Sequence, residues 1–181
     1  DYTYLWSNGQ TTATATGLVS GSYTVTVKDD NNCQTIAGPV TITEPNAVSA
    51  SMGAPTMITC NGDANGTVAV SGSGGTVAGD YTYLWSDGQT TATATGLVAG
   101  SYTVTVKDDN NCSTSAGPVT ITEPTSISAS MGVPTMVSCN GGSDGSVSVT
   151  GSGGTVVGDY TYLWSDGQTT ATATGLIAGS Y

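Results

Sequence analysis

The sequence has no histidine, no arginine and no phenylalanine, and only 8% of its residues are charged, against about 25% in a typical globular domain. Two lysines, Lys28 and Lys107, stand against 13 acidic residues, so the formal net charge is -11. A chain of this kind lacks the cationic surface that neutralises phosphates. We therefore expect no nucleic-acid partner, and binding to an anionic membrane surface is disfavoured for the same reason.

Long apolar runs are also missing. No stretch approaches the roughly 18 apolar residues that a membrane-spanning helix needs, and no charged start followed by an apolar segment marks a secretion signal. We expect no membrane insertion in this segment. Because the chain starts and stops inside a repeated phrase, we interpret it as a piece of a longer polypeptide.

The patterns of catalytic sites are absent too. Without histidine there is no Ser-His or Cys-His pair, and no G-x-S-x-G motif occurs. The glycine-rich stretch Gly72–Gly75 precedes a predicted strand and lacks the lysine of a phosphate-binding loop. We expect no enzymatic activity and no cofactor.

The sequence does contain an internal repeat of 79 residues. The phrase DYTYLWS(N/D)GQTTATATGL begins at Asp1, Asp80 and Asp159. When residues 1–102 are laid over 80–181 without a gap, 18 positions differ and 84 of 102 agree. Proline after glutamate interrupts regular structure once per period. We therefore predict one complete unit at 46–124, the back of a unit at 1–45, and the front of a unit at 125–181.

Each unit has the alternation of β-strands, and no 3.6-residue apolar period appears. The segment from Ser101 places Tyr102, Val104 and Val106 on one face, and a run of turn formers at 108–111 predicts a hairpin with the strand from Gly117. The stretch from Gly96 to Tyr102 resembles the tyrosine corner of immunoglobulin-like (Ig-like) sandwiches. The predicted fold class is therefore all-β, a tandem array of Ig-like antiparallel sandwiches.

Several motifs recur in a fixed order and resemble the SprB repeat. They are CNG at Cys60, GG before YTYLWSDG, the GLVAGSY corner, DDNNC ending at Cys112, and TITEP. The resemblance implies a repeat region of a giant cell-surface adhesin of gliding bacteria, exported by the type IX system. A more distant similarity to PKD domains implies only the sandwich.

The aromatic row Tyr81, Tyr83 and Trp85 lies on one face of a predicted strand. We favour packing of this row in the core, as for the strand tryptophan of Ig-like domains. The alternative is an outward row that would contact surfaces or stack on sugars.

The loop NGDANG spaces Asn61, Asp63 and Asn65 like the oxygen ligands of a calcium site. The next copy loses the middle carboxylate, and no glutamate closes the loop in either copy. A polar turn is the favoured interpretation, with calcium as the minor one.

The four cysteines follow the period and fall into two classes, Cys33 with Cys112 and Cys60 with Cys139. Their number and spacing predict disulfides in an oxidising compartment. Four possibilities stay open at this stage: Cys60 with Cys112 inside one unit, disulfides between units whose partners lie outside residues 1–181, Cys33 with Cys60, and free thiols.

These observations predict an extended extracellular stalk or filament used for adhesion or gliding. Its expected partners are the neighbouring repeats and, laterally, other copies of the chain. Two other functions remain open. One is a carbohydrate-binding module that is repeated for avidity on surface glycans. The other is a set of accessory domains in a secreted hydrolase.

Overall fold

The computed structural model describes all 181 residues and contains twelve β-strands and no helix. The strands are β1 (Thr3–Trp6), β2 (Gly21–Lys28), β3 (Gln34–Ile42), β4 (Ser49–Met52), β5 (Gly66–Ser73), β6 (Thr82–Trp85), β7 (Thr93–Leu97), β8 (Gly100–Lys107), β9 (Ser113–Ile121), β10 (Ser128–Met131), β11 (Gly145–Ser152) and β12 (Thr172–Leu176). The chain has no helix that is long and apolar enough to cross a membrane.

Strands β4 to β9 form a sandwich of two three-stranded antiparallel sheets. One sheet has the order β4-β5-β7 and the other the order β6-β8-β9. The chain starts with the hairpin β4-β5 in one sheet, crosses to the other sheet at β6, returns at β7 and ends with the hairpin β8-β9 in the second sheet, and such crossings between two packed sheets are typical of Ig-like sandwiches. The predicted fold class, all-β and Ig-like, is confirmed. All six strands lie inside the predicted unit 46–124, whose boundaries stay a prediction.

The core of this middle unit lies between the two sheets. Alternation brings Val68 and Val70 of β5 inward from one sheet, and Val104 and Val106 of β8 inward from the other. The cluster contains ten buried residues: Ile58, Val68, Val70, Trp85, Ala94, Leu97, Tyr102, Val104, Val106 and Ile121. Small side chains such as Ala94 contribute little area, so Trp85 and Tyr102 supply much of the buried apolar surface.

The aromatic row, with Tyr83 and Trp85 on β6 and Tyr81 just before it, faces this core. Trp85 is only 2% exposed, and Tyr81 and Tyr83 are half-buried and pack against the cluster. Leu84, on the opposite face, is 54% exposed. This placement corrects the alternative in which the aromatic row is an exposed contact stripe, because the pleat turns Leu84 and not the rings toward solvent.

The first and third units each contain one of the two sheets. Strands β1-β2-β3 correspond to β6-β8-β9, and β10-β11-β12 correspond to β4-β5-β7. The third unit has a buried cluster of only four residues: Val147, Trp164, Ala173 and Leu176. The middle unit therefore holds the most complete core of the chain.

The repeated phrase forms a hydrogen-bonded structure of its own. In the middle copy the Trp85 indole donates to the Thr91 carbonyl (2.8 Å). The Gln89 side chain accepts from the Thr95 amide (3.0 Å) and donates to the Thr95 carbonyl (2.9 Å), as a neighbouring strand would. The same bonds recur in both other copies. The phrase therefore serves the fold of each unit.

The predicted tyrosine corner is present. The Tyr102 hydroxyl donates to the Val98 carbonyl (3.0 Å), and Tyr23 makes the same bond to Val19 in the first unit. This bond joins the start of β8 to the connection from the other sheet. It closes the sandwich at the end where β9 also finishes.

Candidate functional site at the ends of the repeat unit

Two ends of the middle unit concentrate its polar contacts. We call the first the entry end; it consists of residues 46–48, 74–78 and 108–112. The Gly75 amide donates to the Asn46 carbonyl (2.7 Å), which ties the incoming chain to the turn after β5. The hairpin tip between β8 and β9 lies on the same turn.

Asp108 organises the entry end. One carboxylate oxygen accepts from the Asn110 and Cys112 amides (3.0 and 2.8 Å), and the other accepts from the Thr76 amide (2.9 Å). The hydrogen bond from Thr76, followed by those within the hairpin, holds the pKa of Asp108 below its usual value, although burial of the carboxylate acts in the opposite direction. The carboxylate therefore fixes the hairpin tip to the neighbouring turn.

Glycine is required beside this carboxylate. Gly75 has a φ of 69°, and a Cβ atom there would lie 2.6 Å from an oxygen of Asp108. Both the left-handed conformation and the close approach disfavour any larger residue. The turn at residues 74–78 thus receives the hairpin tip, and we call this turn the hairpin seat.

The opposite end of the unit is the exit end, formed by residues 59–62 and 121–124. The Gly62 amide donates to a carboxylate oxygen of Glu123 (2.7 Å), and the Asn61 side chain donates to the Pro124 carbonyl (3.1 Å). The CNG loop is thereby attached to the linker that leads to the third unit. Sequence analysis missed this role of Glu123. The only available signal was that CNG and TITEP each occur once per period.

The length of a strand separates the two ends. On β8, Gly100 pairs with Ile121 at the exit end and Lys107 pairs with Ser113 at the entry end. Seven residue steps of about 3.3 Å give roughly 23 Å between these pairs. The chain therefore enters a unit at one end and leaves it at the other.

Two of the three calcium candidates, Asn61 and Asn65, hold the exit loop through hydrogen bonds. The Asn65 side chain accepts from the Thr59 amide (3.2 Å) and donates to the Thr59 hydroxyl (2.6 Å). In the third unit Asp144 replaces Asn65 and accepts from the Ser138 amide (3.0 Å). Bonds with Ser138 hold the pKa of Asp144 below its usual value. Asparagine and aspartate can both fill this position because the loop needs only an acceptor oxygen. Calcium binding at Asn61, Asp63 and Asn65 stays a prediction.

All four cysteines are exposed, and none is bonded to another. Cys112 lies in the hairpin at the entry end, whereas Cys60 lies in the loop at the exit end. A disulfide requires Cα atoms within about 7 Å, so a bond between Cys60 and Cys112 inside one unit does not fit this geometry. Cys33 belongs to the entry end of the first unit and Cys60 to the exit end of the middle unit, so a bond between these two cysteines does not fit this geometry either.

A cavity of about 540 Å³ lies where the middle and third units meet. One wall is Thr59, Cys60 and Asn61 of the exit end. The other wall comes from the third unit and includes residues 125–127 and 153–157. These residues correspond, at a distance of 79, to the entry end of the middle unit.

The fold and the positions of the two chain ends define a class of protein: a tandem array of Ig-like β-sandwiches with chain entry and exit at opposite ends. In this chain, residues 53–90 and residues 132–169 each match the model of the SprB repeat, and the two matches are 79 residues apart. The predicted resemblance is confirmed. The match supports a repeat region of a cell-surface protein of the gliding-adhesin type, and it points to a structural, non-catalytic role.

Among solved structures, the chain is similar to the three N-terminal domains of the highly immunogenic outer capsid protein (Hoc) of bacteriophage RB49. The sequence identity is 19% and the TM-score is 0.46, over 94% of this chain and 68% of that chain. No curated protein matches the sequence.

Proposed function

We propose that this chain is part of an extended array of Ig-like units that forms a stalk or filament outside the cell and serves adhesion or gliding. The observation that carries the proposal is the position of the two chain ends in the middle unit. Because entry and exit lie at opposite ends of the strands, each repeat adds its length to the array. From the strand lengths and their loops we expect roughly 35–40 Å per unit.

The linker supports a nearly fixed arrangement of neighbouring units. Pro124 is held by Asn61, and Glu123 is held by Gly62, so the residues just before the third unit are bonded to the body of the second. A short linker that contains proline and is tied at one side has little freedom. The near identity of the copies means that the same arrangement can recur at every junction.

The composition suits a structure that is exposed to the environment. Serine and threonine cover the outer strand faces, and lysine, the target of many proteases, occurs only twice. Export by the type IX system and an extracellular location belong to this proposal.

Two experiments test it. Small-angle scattering of the purified chain should give a radius of gyration on the order of 25 Å for a rod of this pitch, whereas a compact chain of this length would give about 16 Å. Fab fragments raised against the chain should label filaments on the surface of the source cells and slow their adhesion or gliding. Label confined to the cell interior, or a compact particle, would contradict the proposal.

A further inference from the structure

The hairpin seat is filled in the middle unit. Besides the bond from Thr76 to Asp108, the Asp109 amide donates to the Thr76 carbonyl (3.2 Å) and the Ala78 amide donates to the Asp109 carboxylate (2.6 Å). The Cys112 amide is bonded to Asp108 in the same tip. The position of Cys112 is therefore fixed relative to residues 74–78.

The same seat is open in the third unit. Gly153, Gly154, Thr155 and Val156 repeat the residues of the filled seat without a change. A Cβ atom on Gly154 would meet nothing closer than 3.8 Å, whereas the equivalent atom on Gly75 would meet Asp108. This open seat is one wall of the junction cavity, and Cys60 lies in the opposite wall.

A hairpin placed on the open seat would fill the cavity that Cys60 lines from the other side. In an array that continues past Tyr181, the third unit carries its own copy of the tip 108–112. By the 79-residue equivalence that tip occupies the cavity. We propose that the exit-end cysteine of each unit forms a disulfide with the hairpin cysteine of the following unit, 131 residues later (52 within a unit plus 79). The inference rests on the proposed array.

The proposal accounts for the four free cysteines. Cys60 and Cys139 are exit-end cysteines, and Cys33 and Cys112 are hairpin cysteines. No exit-end cysteine in residues 1–181 has a hairpin cysteine 131 positions after it. Each of the four therefore pairs with a position outside this range, and all four are exposed at the ends of their units.

The bond forms by ordinary thiol–disulfide exchange with an external disulfide such as oxidised glutathione. One protein thiolate attacks this disulfide and releases one glutathione. The second protein thiolate then attacks the mixed disulfide and releases the other. Two protein thiols are oxidised, one glutathione disulfide is reduced to two thiols, and the two protein protons pass to the released glutathiones.

The test uses the full chain with one copy of residues 103–124 added after Tyr181, which completes the third unit. In a glutathione redox buffer at low protein concentration, the five thiols of the extended chain should fall to three. The original chain should keep all four. Trypsin cuts after the lysines, so non-reduced peptide mapping should show the peptide 29–107 joined to the final peptide that carries the added cysteine.

Two single-cysteine variants identify which cysteine of peptide 29–107 forms the disulfide. Cys60→Ser should abolish the link, whereas Cys33→Ser, in the same tryptic peptide, should leave it intact. Three results would overturn the proposal. The first is a link between peptide 29–107 and the peptide beginning at Asp108, and the second is a loss of thiols in the original chain. The third is five free thiols in an extended chain whose third unit melts cooperatively. Scattering of the Cys60→Ser chain separates the two questions, because the rod should persist without the bond.

Discussion

Asp108 shows how one carboxylate holds an entire loop. It accepts three backbone N–H bonds, two from its own hairpin and one from Thr76 on the neighbouring turn. In the first unit Asp29 accepts the two hairpin bonds in the same way. The bond to Thr76 is the contact that joins the tip to the rest of the entry end.

This arrangement makes the stability of the unit depend on pH. Since the pKa of Asp108 is lower in the folded than in the unfolded chain, its contribution is fully present above the unfolded value near 3.8 and is lost as pH falls through the folded value. We expect urea midpoints to be flat from pH 7 to 5 and to fall below about pH 4.

Asp108→Asn should lower the midpoint at pH 7 and weaken this acid dependence, because an amide nitrogen cannot accept from Thr76. Asp80→Asn, at an exposed carboxylate with no hydrogen bond to the protein, is the control and should leave both unchanged. An unchanged pH profile in Asp108→Asn would show that the carboxylate does not carry the effect.

The hydroxyl of Tyr102 is a second residue-scale test. Tyr102→Phe removes the bond to the Val98 carbonyl and should cost about 0.5–1.5 kcal/mol in the free energy of unfolding. Tyr83 is half-buried against the same core, and its hydroxyl bonds to no protein group, so Tyr83→Phe is the matched control. Equal losses in the two variants would argue against a special role of the corner.

At the scale of the strands, apolar alternation predicted most of the sandwich. The inward face of β8, the hairpin of β8 with β9, and the orientation of Trp85 follow from side chains that alternate across a sheet. These elements carry branched or aromatic residues, which distinguish an inner from an outer face.

Strand β7 was not predicted, and β9 begins at Ser113 rather than at Gly117. Residues 113–116 are serine, threonine and alanine, and β7 has only one large apolar residue, Leu97, so neither segment shows a clear inner face in the sequence. Ala94 is nevertheless fully buried, because pairing with β5 places it there. The contact between the CNG loop and Glu123 spans more than 60 residues, and no local pattern encodes such a contact.

Two leucines test the assignment of faces. Leu97→Ala, at a side chain 2% exposed, should destabilise the middle unit by about 2–5 kcal/mol. Leu84→Ala, at a side chain 54% exposed, should change the stability by no more than about 0.5 kcal/mol. Urea unfolding followed by circular dichroism measures both. Comparable losses would mean that the pleat of β6 is reversed.

At the scale of the molecule, we expect the three units to differ in stability, because only the middle unit has both of its sheets within residues 1–181. The middle unit has two sheets around ten buried residues, whereas the third has one sheet and four. Stability in a repeat array is the sum of unit cores and their contacts with neighbours. Within residues 1–181 the third unit has no partner sheet, and this accounts for its smaller core.

Hydrogen exchange should reveal this difference directly. We expect the amides of β5 and β8 to be the slowest to exchange and those of β11 and β12 to be faster by at least about tenfold, because local opening needs less free energy where fewer apolar contacts break. Adding residues 103–124 after Tyr181 should slow β11 and β12 to the rate of their counterparts. Equal protection in the original chain would contradict the assignment of cores.

The opposite placement of the chain ends also determines how a pulling force acts on a unit. Strands β4 and β9 both run from the entry end to the exit end, and tension at residues 46 and 124 draws them in opposite directions. The ladder between β4 and β5 and the bond from Ile58 to Thr122 are then loaded in shear, so several hydrogen bonds must break together. A unit stretched between two surfaces therefore resists unfolding, because its hydrogen bonds carry the load together and do not break one after another.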